Sequence, residues 1–263
     1  MDFEDTKEEA AFRAEANKWL SANAKLRGSK SSKDDMAEME NGAAAEMAAS
    51  RAWQKTKAKA GYARITWPKG MGGMGGTPMQ SIIFGQEESK FDVATGGPFA
   101  IGLGMCIPTL MAYGSEEAKK RYVWPAVQGD EIWCQLFSEP AGGSDVAGLR
   151  TKAELEGDEW VINGQKIWTT GAQFSDYGIL LTRTDPNVPK HKGLTMFYID
   201  MHDPAVEVRP IKQASGGSGF NEVFFTNLRV KDSQRVGEVG QGWQVALTTL
   251  MHERLAVGGG QGG

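Results

Sequence analysis

The feature that most restricts how this chain can fold is a change of pattern near residue 128. Before it, apolar residues recur at helical spacing: Phe12, Ala16, Trp19 and Leu20 fall at i, i+4, i+7 and i+8 and share one face. After it come short β-rich segments divided by turn residues: EIWCQLF, EWVIN, QKIWTT, YGILLTRT, GLTMFYID, AVEVRP and EVFFTNLRV. A helical pattern returns at Gly242, where Trp243, Leu247, Leu250 and Val257 form a stripe. Helices, then strands, then a helix do not build alternating βαβ units; the order predicts an α+β multidomain protein. Three segments are expected: an N-terminal all-α helical domain over 1–128, an antiparallel β-barrel or sandwich over 129–240, and the start of a C-terminal helical domain over 241–263.

Local signals sharpen this outline. Thr77 as N-cap, Pro78 at the first helical position and Gln80 three residues after the cap predict a helix start, with Met79, Ile82, Ile83 and Gln86 at helical spacing. Another helix is expected from Ser115, with Glu116 and Glu117 in its first turn, ending before Pro125. The polar stretch 29–41 reads as a connecting loop, followed by a helix through AAAEMAASRAWQKTKAKA that stops at Gly61. Its Lys55, Lys57 and Lys59 read as a solvated face. Asn163-Gly164 is expected to turn a two-residue hairpin between EWVI and QKIW. The apolar stretch FAIGLGMCIPTLMAYG reads as a buried core helix, since a membrane span requires about 18 to 20 such residues.

Charge and cysteine usage exclude several classes. The formal net charge of −4 is spread over interspersed acidic and basic residues, which gives no field favouring nucleic acid or an anionic membrane surface. Cys106 and Cys134 form no CxxC pair, and His191, His202 and His252 are scattered, so neither a disulfide framework nor a metal site is expected. A reducing compartment fits this usage. The acidic start, MDFEDTKEEAAF, lacks a basic and apolar leader, so the expectation is a cytoplasmic protein without a membrane span.

Residues 137–148, FSEPAGGSDVAG, follow a strand-like run with a loop of small residues. Such a loop is either an ordinary turn or a place where backbone N–H groups and a hydroxyl approach a bulky anion such as a pyrophosphate. The residues alone leave both open. Three further stretches stand around it in order: YGSEEAKKRYVWPAVQGDE, INGQKIWTTGAQFSDY and GQGWQVALTTLMHERLAVGG. Together the four motifs resemble the acyl-CoA dehydrogenase family, and the resemblance covers nearly the whole chain. It implies a helical domain, a β-barrel domain and a C-terminal four-helix bundle, of which this chain carries the first helix, with FAD between barrel and bundle.

The resemblance also implies roles. Gln135, Phe137 and Ser138 would line the flavin ring system, Gly143 and Ser144 would lie at the pyrophosphate, and Trp168, Thr169 and Thr170 would flank the isoalloxazine. Where relatives commonly read E-P-G-A-G-S, this chain has Ala141 and Gly142 in the middle positions, a small steric change. The implied reaction is α,β-dehydrogenation of an acyl-CoA thioester: a carboxylate takes the α proton while the β hydrogen leaves as hydride to FAD. Glu253, immediately before Arg254, matches the branch of the family whose base lies on the helix that opens the bundle; the alternative is a glutamate beyond residue 263. Ser144 and Arg254 would serve substrate binding. Arg254 falls in the middle of the apolar stripe, so it would need a partner if that stripe is buried. Implied partners are an electron-transfer flavoprotein and other subunits in a homotetramer, a homodimer or a heteromer that supplies the rest of the bundle. A noncatalytic interaction subunit and an acyl-CoA oxidase-like flavoenzyme are the alternative functions.

Overall fold

A computed structural model describes residues 5–28, 32–94, 97–214 and 217–258. The helices are α1 (Lys7–Asn23), α2 (Ser32–Ala60), α3 (Pro78–Glu88), α4 (Ile107–Tyr113), α5 (Glu116–Val127) and α6 (Gly242–Gly258). The strands are β1 (Trp133–Leu136), β2 (Lys152–Glu156), β3 (Glu159–Thr170), β4 (Tyr177–Arg183), β5 (Leu194–Asp200), β6 (Val206–Pro210), β7 (Phe220–Lys231) and β8 (Arg235–Val236). This is the α+β arrangement expected, and the chain divides into two compact units, Met1–Gly97 with Val127–Asp130, and Pro98–Ala126 with Glu131–Gly263. Among the described residues no helix is long and apolar enough to cross a membrane.

The first unit is built on α1, α2 and α3. Phe12, Ala16 and Leu20 are buried on α1 as their spacing requires, and they meet Trp53, Tyr62, Ile83, Phe84 and Phe91 in one core. Thr77 and Gln80 form the expected reciprocal cap, Gln80 N–H to Thr77 Oγ1 at 3.2 Å and Thr77 N–H to Gln80 Oε1 at 2.8 Å. The face of α3 that packs is shifted from the expected one: Ile83, Phe84 and Glu87 are buried, while Met79 and Ile82 stay exposed. Glu87 is tolerated inside because Arg13, Asn17 and Lys90 all donate to it.

Two expectations for this unit are corrected. Polarity over 29–41 does not mark a loop throughout, because α2 begins at Ser32; Met, Ala and Glu favour helix by their intrinsic propensity. Residues 29–31 lie outside the described residues. Lys57 is not on a solvated face: it is buried and pairs with Glu88 at 2.9 Å.

In the second unit, Pro125 sits inside α5 instead of ending it. Pro125 removes one N–H bond in the last turn, and its carbonyl accepts from Glu131 N–H at 3.3 Å. The apolar stretch after Phe99 is buried but not uniformly α-helical: Gly102–Cys106 is a π-helical turn leading into α4. Gly102 is needed there for packing, since a Cβ would lie 3.2 Å from Cβ of Trp133.

The strands form one sheet in the order β6-β7-β3-β2-β4-β5-β8, with β1 paired to β4. Most pairs are antiparallel, but β1–β4 and β2–β4 are parallel, so the sheet is mixed. Its core gathers Leu136, Trp160, Ile162, Leu180, Phe197, Ile199, Val223 and Phe225.

The Asn163-Gly164 pair does not turn a hairpin. β3 runs through it unbroken, and the β2–β3 turn falls at Gly157 and Asp158 instead. The pair faces an irregularity on β7, where Ile162 and Gly164 pair with Leu228 and Phe225, leaving one extra residue on β7. Asn227, there with φ of +54°, bonds Asn163 through its N–H at 2.9 Å. Gly164 is required because a Cβ would fall 2.5 Å from Thr151 Oγ1 and 2.7 Å from Thr151 Cα.

Candidate functional site

The two motifs expected to share a site are joined by direct bonds. β1 delivers Gln135, half-buried, and ends at Leu136; Phe137, buried, and Ser138 follow as the chain leaves the sheet. The Ser138 carbonyl accepts from Ile167 N–H at 2.9 Å, so the loop begins against the residue that precedes Trp168. Glu139 and Gly142 close a tight turn by exchanging N–H···O bonds of 3.1 and 3.0 Å around Pro140 and Ala141.

Beneath that turn lies a buried ion pair with no counterpart among the expected site residues. Lys166 is fully buried on β3 and donates to Glu139 Oε1 at 2.9 Å and to the Phe137 carbonyl at 3.0 Å. Glu139 also accepts from the backbone N–H of Arg150 at 2.6 Å and of Thr151 at 2.9 Å. Burial pushes the Glu139 carboxyl up, but the Lys166 charge and the bonds from Thr151, Lys166 and Arg150 outweigh it, so its pKa lies below the ordinary 4.5. Burial pushes the Lys166 ammonium down, against the pull of Glu139. A lysine at an inward-facing position of an alternating strand, read together with an acid at the mouth of the preceding loop, is the sequence signal that would have found this pair.

Gly143 and Ser144 are exposed at the outer end of the loop, and their N–H groups enter no hydrogen bond among the described residues. A Cβ at Gly143 would meet no protein atom within 4 Å, so its small size is not demanded by packing inside this chain. Asp145 anchors the far side: its carbonyl accepts from Gly148 N–H at 3.0 Å and its carboxylate pairs with Lys190 at 2.8 Å.

On β3, Lys166 and Thr169 pair with Val223 and Asn221, three steps against two, so one extra residue bulges from the ladder. Trp168 occupies this bulge with φ of +60°, a region that bulky residues rarely adopt, and its side chain is 56% exposed. Its ring meets Phe220 edge-on at 6.0 Å. The two threonines separate: Thr170 is exposed, whereas Thr169 turns into the sheet and is buried. Thr169 therefore contributes to this face through the course of the strand and not through its hydroxyl.

Glu253 and Arg254 lie on a different element. α6 packs Val245, Ala246 and Thr249 inward, with the Thr249 hydroxyl 2.9 Å from that of Thr109 on α4. A Cβ at Gly242 would lie 2.6 Å from Leu194 C and Thr195 N, so α6 starts hard against β5. The expected stripe is the less buried side: Trp243 and Leu250 are half-buried, and Leu247 is exposed. Small and β-branched side chains reach the close contact with α4 and β5, which the larger ones cannot enter. Glu253 is half-buried and Arg254 exposed, so among the described residues the stripe around Arg254 is not buried. The side chain of Val257 lies outside the described residues.

The chemistry available at the loop and bulge fits a flavin dinucleotide. A flat aromatic wall held in a strained conformation, an adjacent exposed hydroxyl at Thr170, and two unengaged backbone N–H groups at Gly143 and Ser144 match a planar ring system and an anion on one chain segment.

Comparison with known proteins gives the family. The description of the acyl-CoA dehydrogenase N-terminal domain matches residues 6–130, and that of the middle domain matches residues 134–228. Acyl-CoA dehydrogenase FadE34 of Mycobacterium tuberculosis is 42% identical over 194 residues, covering 74% of this chain and 27% of the relative. Acyl-CoA dehydrogenase IpdE1 of Mycolicibacterium smegmatis is 36% identical over 258 residues, covering 92% of this chain and 64% of the relative. Among solved structures, the Tcur3481-Tcur3483 steroid ACAD superposes with a TM-score of 0.77 at 29% identity, covering 98% of this chain and 64% of that one. The ChsE4-ChsE5 complex from Mycobacterium tuberculosis gives 0.75 at 28% identity, covering 96% and 61%. This chain thus spans between about a quarter and two thirds of the length of these relatives.

Proposed function

The chain belongs to the acyl-CoA dehydrogenase family, and on that premise we propose that it supplies the flavin-facing wall of an FAD-dependent oxidoreductase that α,β-dehydrogenates an acyl-CoA thioester to the trans-2-enoyl-CoA. One observation carries the proposal: the Ser138 carbonyl is bonded to Ile167 N–H directly beside Trp168, which puts the small-residue loop and the aromatic bulge on one edge. When bound, FAD would supply the acceptor for the hydride that leaves the β carbon.

The chain's own residues have separate tasks. Ser138 and Gln135 would contact the ring system along β1, with Phe137 packed behind them. Trp168 and Thr170 would form the facing wall. The N–H groups of Gly143 and Ser144 would take the pyrophosphate, with Ser144 also reaching substrate. Glu253 would take the α proton, with Arg254 beside it on the substrate side. A general base must lie within reach of the proton it abstracts, and Glu253 sits half-buried on α6.

Of the two structural neighbours, Tcur3481-Tcur3483 is a steroid ACAD and ChsE4-ChsE5 is a complex. They support a heteromeric assembly and a bulky acyl group in preference to a short straight one. Electrons would pass on to an electron-transfer flavoprotein. The reading places the reaction in acyl-CoA oxidation.

A second reading, a noncatalytic subunit of the same fold, is favoured by the exposure of Leu247 and Met251 on α6. One titration separates them. Purified chain, alone and with its co-purifying subunit, is titrated with FAD and then with an acyl-CoA without oxygen. Flavin uptake followed by bleaching is expected; protein that stays colourless in both forms would establish the noncatalytic reading. In the bleaching assay, Glu253→Gln is expected to retain flavin and slow reduction by about 10² to 10⁴-fold. Unchanged reduction would remove Glu253 from the role of base.

A further inference from the structure

Trp168 is exposed, but its backbone is not free. A φ of +60° on a bulky residue persists only where the surroundings over-determine it. The surroundings converge on Asn221, fully buried on β7 and paired in register with Thr169. Its amide nitrogen donates to the Thr169 carbonyl at 2.9 Å and to Gln173 Oε1 at 2.5 Å. Gln173 in turn donates to the Ser218 carbonyl at 3.2 Å, and Gly171 N–H donates to the Gly219 carbonyl at 3.0 Å. One side chain therefore joins the residue after Trp168, the turn after Thr170 and the approach to β7.

The other half of the Asn221 amide is poorly provided for. Its Oδ1 and the hydroxyl of Thr169 are both buried without a hydrogen-bond partner among the described residues. Unsatisfied buried polar atoms oppose folding, and an apolar residue at 221 would remove the Oδ1 part of that opposition. What an apolar residue could not do is donate to Thr169 and Gln173.

We propose that Asn221 is a positioning residue whose two donated bonds lock the β3 bulge, so that Trp168 and Thr170 are presented together to the flavin. This rests on the flavin reading above; Asn221 acts through Trp168 and is not itself assigned a cofactor contact. The same lock would constrain the bulge before any cofactor arrives, so it is testable without one.

The test incorporates 5-fluorotryptophan into the whole chain, which has eight tryptophans, and assigns the Trp168 resonance with Trp168→Phe. Asn221→Leu keeps the branched shape, at a larger volume, and removes both donors; Gln173→Met removes one arm at a half-buried site where neither overpacking nor misfolding is at stake. Both are expected to shift or broaden the Trp168 resonance, Asn221→Leu the more. Asn163→Ser, which disturbs the side-chain bonds to Asn227 at the separate irregularity midway along the β3–β7 ladder, is expected to leave it in place. In FAD titrations the Asn221 variant is expected to bind more weakly, on the order of tenfold, because a small displacement of a positioned group is costly. A Trp168 resonance that stays put in both Asn221→Leu and Gln173→Met overturns the proposal. So does one that moves equally in Asn163→Ser, which would mark general loosening. A wild-type chain that takes up no FAD would count against the flavin reading, and the resonance would still decide whether Asn221 locks the bulge.

Discussion

A buried lysine and glutamate decide how firmly the candidate site is held. Removing one member of such a pair leaves the other charge uncompensated, which typically costs about 3–5 kcal/mol. Glu139→Gln should cost that much in urea unfolding, because Lys166 would keep only carbonyl-type partners. Addition of Lys166→Met to Glu139→Gln should recover part of the loss, since no lone charge then remains. A double variant no more stable than the single one would show that the pair's charge is not what matters. The pH dependence has a definite sign. The folded pKa of Glu139 lies below its ordinary 4.5, so the unfolded chain binds more protons in that range and stability rises with pH there. The contribution is complete above about 4.5 and is lost as pH falls through the folded value. Acid titration of unfolding should therefore be shallower in Glu139→Gln than in the wild type; identical slopes would mean that another carboxylate controls the acid limb.

At the level of elements, the fold was legible where a local signal has a single structural outcome. The Thr77-Pro78-Gln80 start is such a case, because its cap is satisfied within one turn whatever packs outside. Asn163-Gly164 was not legible, because the same two residues suit a turn or the site opposite a bulge, and the choice rests on β7 and Thr151, distant in sequence. The site divides in the same way. The loop and Trp168 could be picked out from their motifs, whereas Lys166, Glu139 and Asn221 matter through bonds across 27 and 52 residues of chain. Gly164 offers a direct measurement of this long-range dependence. Gly164→Ala should cost about 1–3 kcal/mol by overpacking against Thr151. Because Thr151 N–H also holds Glu139, hydrogen exchange of the 138–144 loop should rise in the same variant. A loop left unchanged would separate the strand contact from the site.

Over the whole molecule, the residues assigned to the flavin all fall in one of the two compact units, the one formed by Pro98–Ala126 and Glu131–Gly263. That unit has its own apolar core, in which Trp160, Phe197 and Phe225 are buried, and all of its sheet pairings are internal. A fragment of residues 98–263 is therefore expected to unfold cooperatively, as a domain with its own core should. If the flavin contacts made by this chain lie where the loop and bulge place them, the fragment should retain FAD affinity within about tenfold of the whole chain, a difference of at most ~1.4 kcal/mol. Fluorescence quenching of FAD by each would measure this, and the ratio discriminates between two designs. Equal affinities mean that the first unit serves substrate or assembly and leaves the flavin to the sheet. A folded fragment that binds far more weakly would mean that the wall formed by Trp168, Thr170 and the 138–144 loop is insufficient by itself.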